Sequence, residues 1–161
     1  MALATVAAIR DRCYDLIEAI VPTSLSGDEF RRWRNEGDAD FTEAADADPA
    51  GAFRRFQIRQ VNLDEPPLVS NVLEERVQLE LECRVAYPQT HRYGADNAMD
   101  RDDVRNEDWK AINYRIGLYG RANFSSTHDC TPIGASMELE IGEGVDFMVV
   151  TARFEYMRSI A

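Results

Sequence analysis

A chain of 161 residues with 45% hydrophobic and 29% charged side chains has ordinary globular composition, which excludes disorder of the whole chain and sets the expectation of one domain over 1–161. The formal charge of −11 excludes a general nucleic-acid binder, which gains affinity by replacing counterions with Lys and Arg, and it disfavours adhesion to anionic membranes. No apolar run approaches the ~18 residues of a membrane-spanning helix. Cys13, Cys83 and Cys130 are odd in number and widely spaced, so they read as buried thiols of a reducing compartment rather than a disulfide framework.

In chain order, Leu3, Val6, Ile9, Cys13, Leu16, Ile17 and Ile20 recur at three- and four-residue spacing with Arg10, Asp11, Asp15 and Glu18 between them. This predicts an amphipathic helix with one apolar stripe, ended by Pro22. Its start, Met1–Ile9, lacks a basic n-region and reads as a helix rather than a signal peptide. Residues 23–52 show no regular pattern. A possible short helix carries Phe30 and Trp33 beside Arg31, Arg32 and Arg34, and six acids follow from Glu36 to Asp48. Acidic character and small residues make this segment a long irregular arm.

Phe53 to Asn62 predicts a strand with Phe56 and Ile58 on one face and Arg55, Gln57 and Arg59 on the other. Val77, Leu79, Leu81, Cys83, Val85 and Tyr87 alternate with Gln78, Glu80, Glu82, Arg84 and Ala86, which is the strongest strand signal in the chain. The two strands are expected to pair as an antiparallel hairpin, with Pro88 breaking the second. After a polar connector over 89–99, Asp100 or Asp102 is the expected N-cap of a helix whose apolar face is Val104, Trp109, Ile112 and Ile116, with Gly120 as C-cap. A loop over 123–132 precedes a C-terminal hairpin. Ala135, Met137, Leu139 and Ile141 alternate in its first strand, and Met148, Val150, Ala152, Phe154 and Tyr156 in its second, across the turn Gly142-Glu143-Gly144. The elements assemble as α+β: a four-stranded, mainly antiparallel sheet with two helices packed on one face, in the order α-β-β-α-β-β.

Chemistry is sparse. His128-Asp129-Cys130 has the residue types of a thiol nucleophile or half a metal site, but three adjacent loop residues point in different directions, and His91 is the only other histidine. Asp38, Asp40, Asp46 and Asp48 lack the glycine and twelfth-position glutamate of a calcium loop. Glu80 with Glu82, and Glu138 with Glu140, could do acid–base work if desolvated; at strand spacing they read more simply as a wet sheet face, or one that meets a basic partner. No phosphate-cradling glycine loop or nucleophile elbow occurs. The reading is therefore no enzyme, no cofactor and no metal. The expected protein-interface residues are Arg31, Trp33 and Arg34, since Arg and Trp are favoured anchors, with Arg55, Arg59, Glu80 and Glu82 on the sheet.

The order of these pieces resembles the tail terminator proteins of long-tailed bacteriophages. The resemblance lies in the helix Leu3–Ile20, the strand Val77–Tyr87, the helix Trp109–Tyr119 and the closing strand Phe147–Met157 with Phe154 and Tyr156; together they span half to two thirds of the chain. It is one of pattern and topology, without a diagnostic motif, and the chain departs from it in its long 23–52 and 89–99 segments. It implies a structural virion protein: a hexameric ring at the head–tail joint, assembled in the host cytoplasm. Its partners would be the tail tube protein and the head connector or a neck protein, with DNA passing through the lumen without specific binding. The rival reading is a small cytoplasmic α/β enzyme or ligand-binding domain with a pocket between sheet and helices.

Overall fold

The computed structural model describes residues 5–33, 40–64, 74–125 and 130–159. Thr5 caps the first helix, α1 (Val6–Glu18), its hydroxyl accepting from the Ala8 amide at 3.1 Å. Ile9, Cys13, Leu16 and Ile17 form its buried stripe, as their spacing requires. The short strand β1 (Arg31–Arg32) and helix α2 (Phe41–Ala47) follow, then strands β2 (Arg55–Asp64) and β3 (Glu74–Pro88). The long helix α3 (Asn97–Ile116), the one-turn helix α4 (Ala122–Ser125) and the hairpin β4 (Cys130–Glu140) and β5 (Val145–Ser159) complete the chain.

The strands form one sheet in the order β1-β2-β3-β5-β4. β3 and β5 are its centre, paired antiparallel from Glu74↔Ser159 to Pro88↔Val145. Both expected hairpins are present, β2 with β3 and β4 with β5. The sheet differs from the four-stranded expectation because β1 joins β2 in parallel, which makes it five-stranded and mixed. Two residues are too short a run for any periodicity to reveal. The expected helix around Phe30 and Trp33 is this strand instead.

One sheet face carries the main core. All six alternating residues of β3, Val77 to Tyr87, are buried there, with Met148, Val150, Ala152, Phe154 and Tyr156 of β5 beside them. α1 and the Val104, Ile112 and Ile116 stripe of α3 cover this face, as expected. Phe124 of α4 adds a ring 5.0 Å from that of Phe154. The opposite face is not wholly wet. Ala86, Val145, Phe147 and Val149 form a second, smaller core under Phe41 and Ala45 of α2, with Trp33 at its rim.

Within the 23–52 segment, residues 23–30 are irregular as expected, but β1, α2 and the side chains of Phe30 and Phe41 are docked on the body. Phe30 is 2% exposed, and Phe41 packs edge-on against Phe147 at 5.8 Å. Asp40 caps α2 by accepting from the Thr42 amide at 2.8 Å. A seven-residue helix with two buried positions carries no legible period. The caps of α3 also differ from expectation. Asp96 is the N-cap, with Asp100 reaching back to its amide, and Gly117 ends the helix. Gly120 sits in the following turn, where an added Cβ would lie 2.0 Å from the Arg115 carbonyl oxygen.

Two substitutions check this layering. Leu81→Asp puts an unpaired carboxylate in the main core at a cost of several kcal/mol, on the order of the ~5–15 kcal/mol that stabilise a domain, so no cooperative urea transition is expected; Glu80→Gln on the other face stays within about 0.5 kcal/mol of the parent. Phe30→Ala lowers unfolding stability by about 3–5 kcal/mol, whereas a free arm would leave it unchanged.

Candidate assembly surfaces

The polar groups inside the molecule are built around Arg54. This residue is fully buried, and its backbone is left-handed, with φ 56°. All five guanidinium N–H groups have acceptors. Nε and Nη2 donate to the two carboxylate oxygens of Asp108 at 2.8 and 2.9 Å. Nη1 donates to the Leu25 and Asp28 carbonyls at 2.9 and 2.8 Å, and Nη2 to the Ser24 carbonyl at 2.8 Å. Phe53 and Phe30 lie 4.8 and 5.4 Å from the guanidinium carbon. The Tyr87 hydroxyl donates to Asp108 at 2.7 Å.

Burial pushes the Asp108 carboxyl above its usual range, and the hydrogen bonds from Arg54 and Tyr87 oppose that shift. Both carboxylate oxygens are thus engaged, so the group is committed to structure rather than to proton transfer. A second buried acid, Asp146, receives Arg105 at 2.9 Å and Gln89 at 2.8 Å. Burial also raises the Cys13 and Cys83 thiols, which keeps them protonated and unreactive at neutral pH. Among the described residues no cluster of three or more His, Cys, Asp or Glu could hold a metal. His128, Asp129 and Asp38 lie outside the described residues. Among those described, no helix is long and apolar enough to cross a membrane.

The exposed chemistry lies at the sheet edges. Arg31, Arg55 and Arg59 share the outer sheet face at the β1–β2 edge, since β1 pairs Arg31 with Arg55. Arg31 and Arg55 form no ion pair among the described residues, and Arg59 is half-exposed at 3.6 Å from Glu82. Trp33 is turned away from this use, its ring packed 5.6 Å from Phe41. Arg34 lies outside the described residues. Glu82 is held between Arg59 and Arg84, and Glu80 stands opposite Arg153 in the β3–β5 register. Glu82 is therefore compensated within the sheet. The opposite edge, β4, carries exposed Glu138 and Glu140, with a bulge at Ile133 beside Gly134 at φ 155°.

Sequence reasoning missed the Arg54–Asp108 pair and the apolar surface near α3. Tyr114 and Tyr119 are 66% and 77% exposed and stack on each other at 6.4 Å, next to exposed Leu118. A groove of about 440 Å³ runs between the end of α1 and α3, lined by Ile20, Val21, Pro22, Lys110, Ala111 and Tyr114. A signal for Asp108 did exist, since it interrupts the i, i+4 series Val104, Ile112, Ile116 on the buried stripe.

Comparison with protein-family models and with curated proteins finds no match for this chain. The fold and its surfaces are what bear on its function.

Asp108→Ala strands the buried Arg54 cation and is expected to cost about 3–5 kcal/mol in urea unfolding, while Tyr87→Phe, which removes one donor to a charged acceptor, costs about 1.5–3 kcal/mol. His91 gives a pH test. Its ring stacks on Phe53 at 4.0 Å, with Nε2 3.9 Å from Asp28, and burial holds the imidazole below its ordinary 6.5. A depressed folded value means the unfolded chain binds the proton first. The contribution is complete above pH 6.5 and is lost as pH falls from there through the lower folded value. The fall in Tm between pH 7.5 and 5.5 should be shallower in His91→Gln.

Proposed function

We propose that this chain is a structural subunit of the head–tail joint of a long-tailed bacteriophage, a tail terminator that acts by shape and interface rather than by reaction. The observation that carries this reading is where the polar chemistry sits. The buried acids and arginines are consumed by one another, while the ungrouped charges and apolar side chains stand on sheet edges and an outer helix face. That distribution suits a subunit whose neighbours complete it. The order of the long elements, α1-β2-β3-α3-β4-β5 once β1, α2 and α4 are set aside, with α1 and α3 on one sheet face, supports it as well. Six copies would form a ring whose acidic surplus repels DNA phosphates, so the genome passes without adhering. The tail tube and the head connector or neck protein would dock on its two ends.

The rival ligand-binding or enzymatic reading rests on the groove between α1 and α3 and on a cavity of about 270 Å³ between α3 and the sheet, lined by Asp102, Arg105, Asn106, Met137, Leu139 and Met148. Electron microscopy of assembled particles separates the two readings. The expected result is six copies at the head–tail joint, with heads and tails left unjoined when the protein is absent. Particles that assemble normally without it defeat the terminator reading.

A further inference from the structure

The two edges of the sheet are unlike, and their difference has a direction. β2 and β5 run one way, β3 and β4 the other. A second copy placed so that its β2 follows β4 would therefore continue the antiparallel alternation. β1 covers β2 only at Arg55 and Phe56. Beyond it, the Tyr14 hydroxyl accepts from the Ile58 amide at 2.8 Å and donates to the Ile58 carbonyl at 3.3 Å. The edge from Arg59 to Asp64 is thus left without a strand neighbour on that side among the described residues. β4 has β5 on one side and no strand on the other among those residues.

Charge selects which edges meet. Arg31, Arg55 and Arg59 stand on the outer face of the first edge, Glu138 and Glu140 on the same face of the second. β4 against a copy of itself would set glutamates against glutamates, and β2 against itself would set Arg59 against Arg59. Like charges directly across a strand pair destabilise it, and opposite charges support it. Along the strands the two groups differ in level by two residues. The registers align Gln57, Arg84, Val149 and Glu138 across the sheet, and Arg59, Glu82, Thr151 and Ser136 one pair further on. A slip of two residues sets Arg59 opposite Glu138. Each edge also carries exposed apolar side chains that such a contact would cover, Val61 at 46% on β2, with Leu139 at 39% on β4 and Ile141 at 76% just past its end.

We infer that copies of this chain join head to tail through their sheets, the β2 edge of one lying antiparallel to the β4 edge of the next, with Arg59 beside Glu138. A contact between two different patches is heterologous and closes into a ring when its rotation permits. The inference deepens the ring reading above, but it is tested on purified protein without any phage component. A failed edge contact with six copies in the virion, and a formed contact without virion location, are thus distinct results.

The experiment mixes Arg59→Cys protein with Glu138→Cys protein, oxidises mildly and identifies the disulfide by peptide mass. The native thiols are buried and do not compete. A cross-link confined to the mixture, weaker when Ser136→Cys or Glu140→Cys replaces Glu138→Cys, is expected. Cross-linking of Glu138→Cys with itself, or no mixed cross-link, overturns the inference. In sedimentation, Arg59→Glu should weaken self-association at least tenfold while the circular dichroism spectrum stays that of the folded parent, and adding Glu138→Arg should restore it; self-association unaffected by Arg59→Glu overturns the proposal equally.

Discussion

The structure depends on one buried ion pair. Arg54 joins four parts of the chain that are distant in sequence: the 24–28 turn, the start of β2, the end of β3 through Tyr87, and α3 through Asp108. Its amide also donates to the Ala86 carbonyl, and its own carbonyl accepts from Arg31, so it begins the sheet as well as tying the helix to it. A left-handed backbone at a non-glycine residue costs roughly 1–2 kcal/mol and persists only where the surroundings over-determine it. Five side-chain donors, all accepted, supply that determination. A charge this deep is tolerable only because both partners are paired and hydrogen-bonded.

From this anchor follows the division of the sheet into two unequal faces. α1 and α3, with Phe124 of α4, cover most of one. On the other, α2 covers only the end near Ala86 and Phe147, and the remainder is a lattice of strand-spaced charges in which Arg84 bridges Glu82 and Glu140, and Arg76 meets Glu155. The exposed Arg76–Glu155 pair contributes little to stability by itself. The effect of the lattice is to keep a wide sheet face soluble and to leave the surplus charges at the edges, arginine on one side and glutamate on the other. A subunit with that polarity fits the head-to-tail contact proposed above.

Much of the scaffold was legible in the sequence. The stripe of α1, the alternation of β3, both hairpins and the apolar face of α3 follow from periods of 3.6 and 2 sustained over enough residues to rise above chance. The sheet arginines Arg55 and Arg59 were placed on the correct face by the same alternation. What stayed hidden was short or non-local. β1 has two residues and α2 has seven, so neither can express a period. The acids around α2 resemble a solvated arm until Phe41 and Ala45 meet Phe147, about a hundred positions away in the chain.

The sequence by itself determined the α+β class, the order of the long elements and which residues each long strand turns inward, because burial of apolar side chains on a pleated or helical repeat is a local pattern. Only the tertiary structure decided the fifth strand, the second core and the pairing of Arg54 with Asp108. It also decided that Arg31, Arg55 and Arg59 share one edge while Glu138 and Glu140 share the other. Those outcomes depend on which segments become neighbours after the chain closes on itself, and residue spacing along the chain carries no record of that.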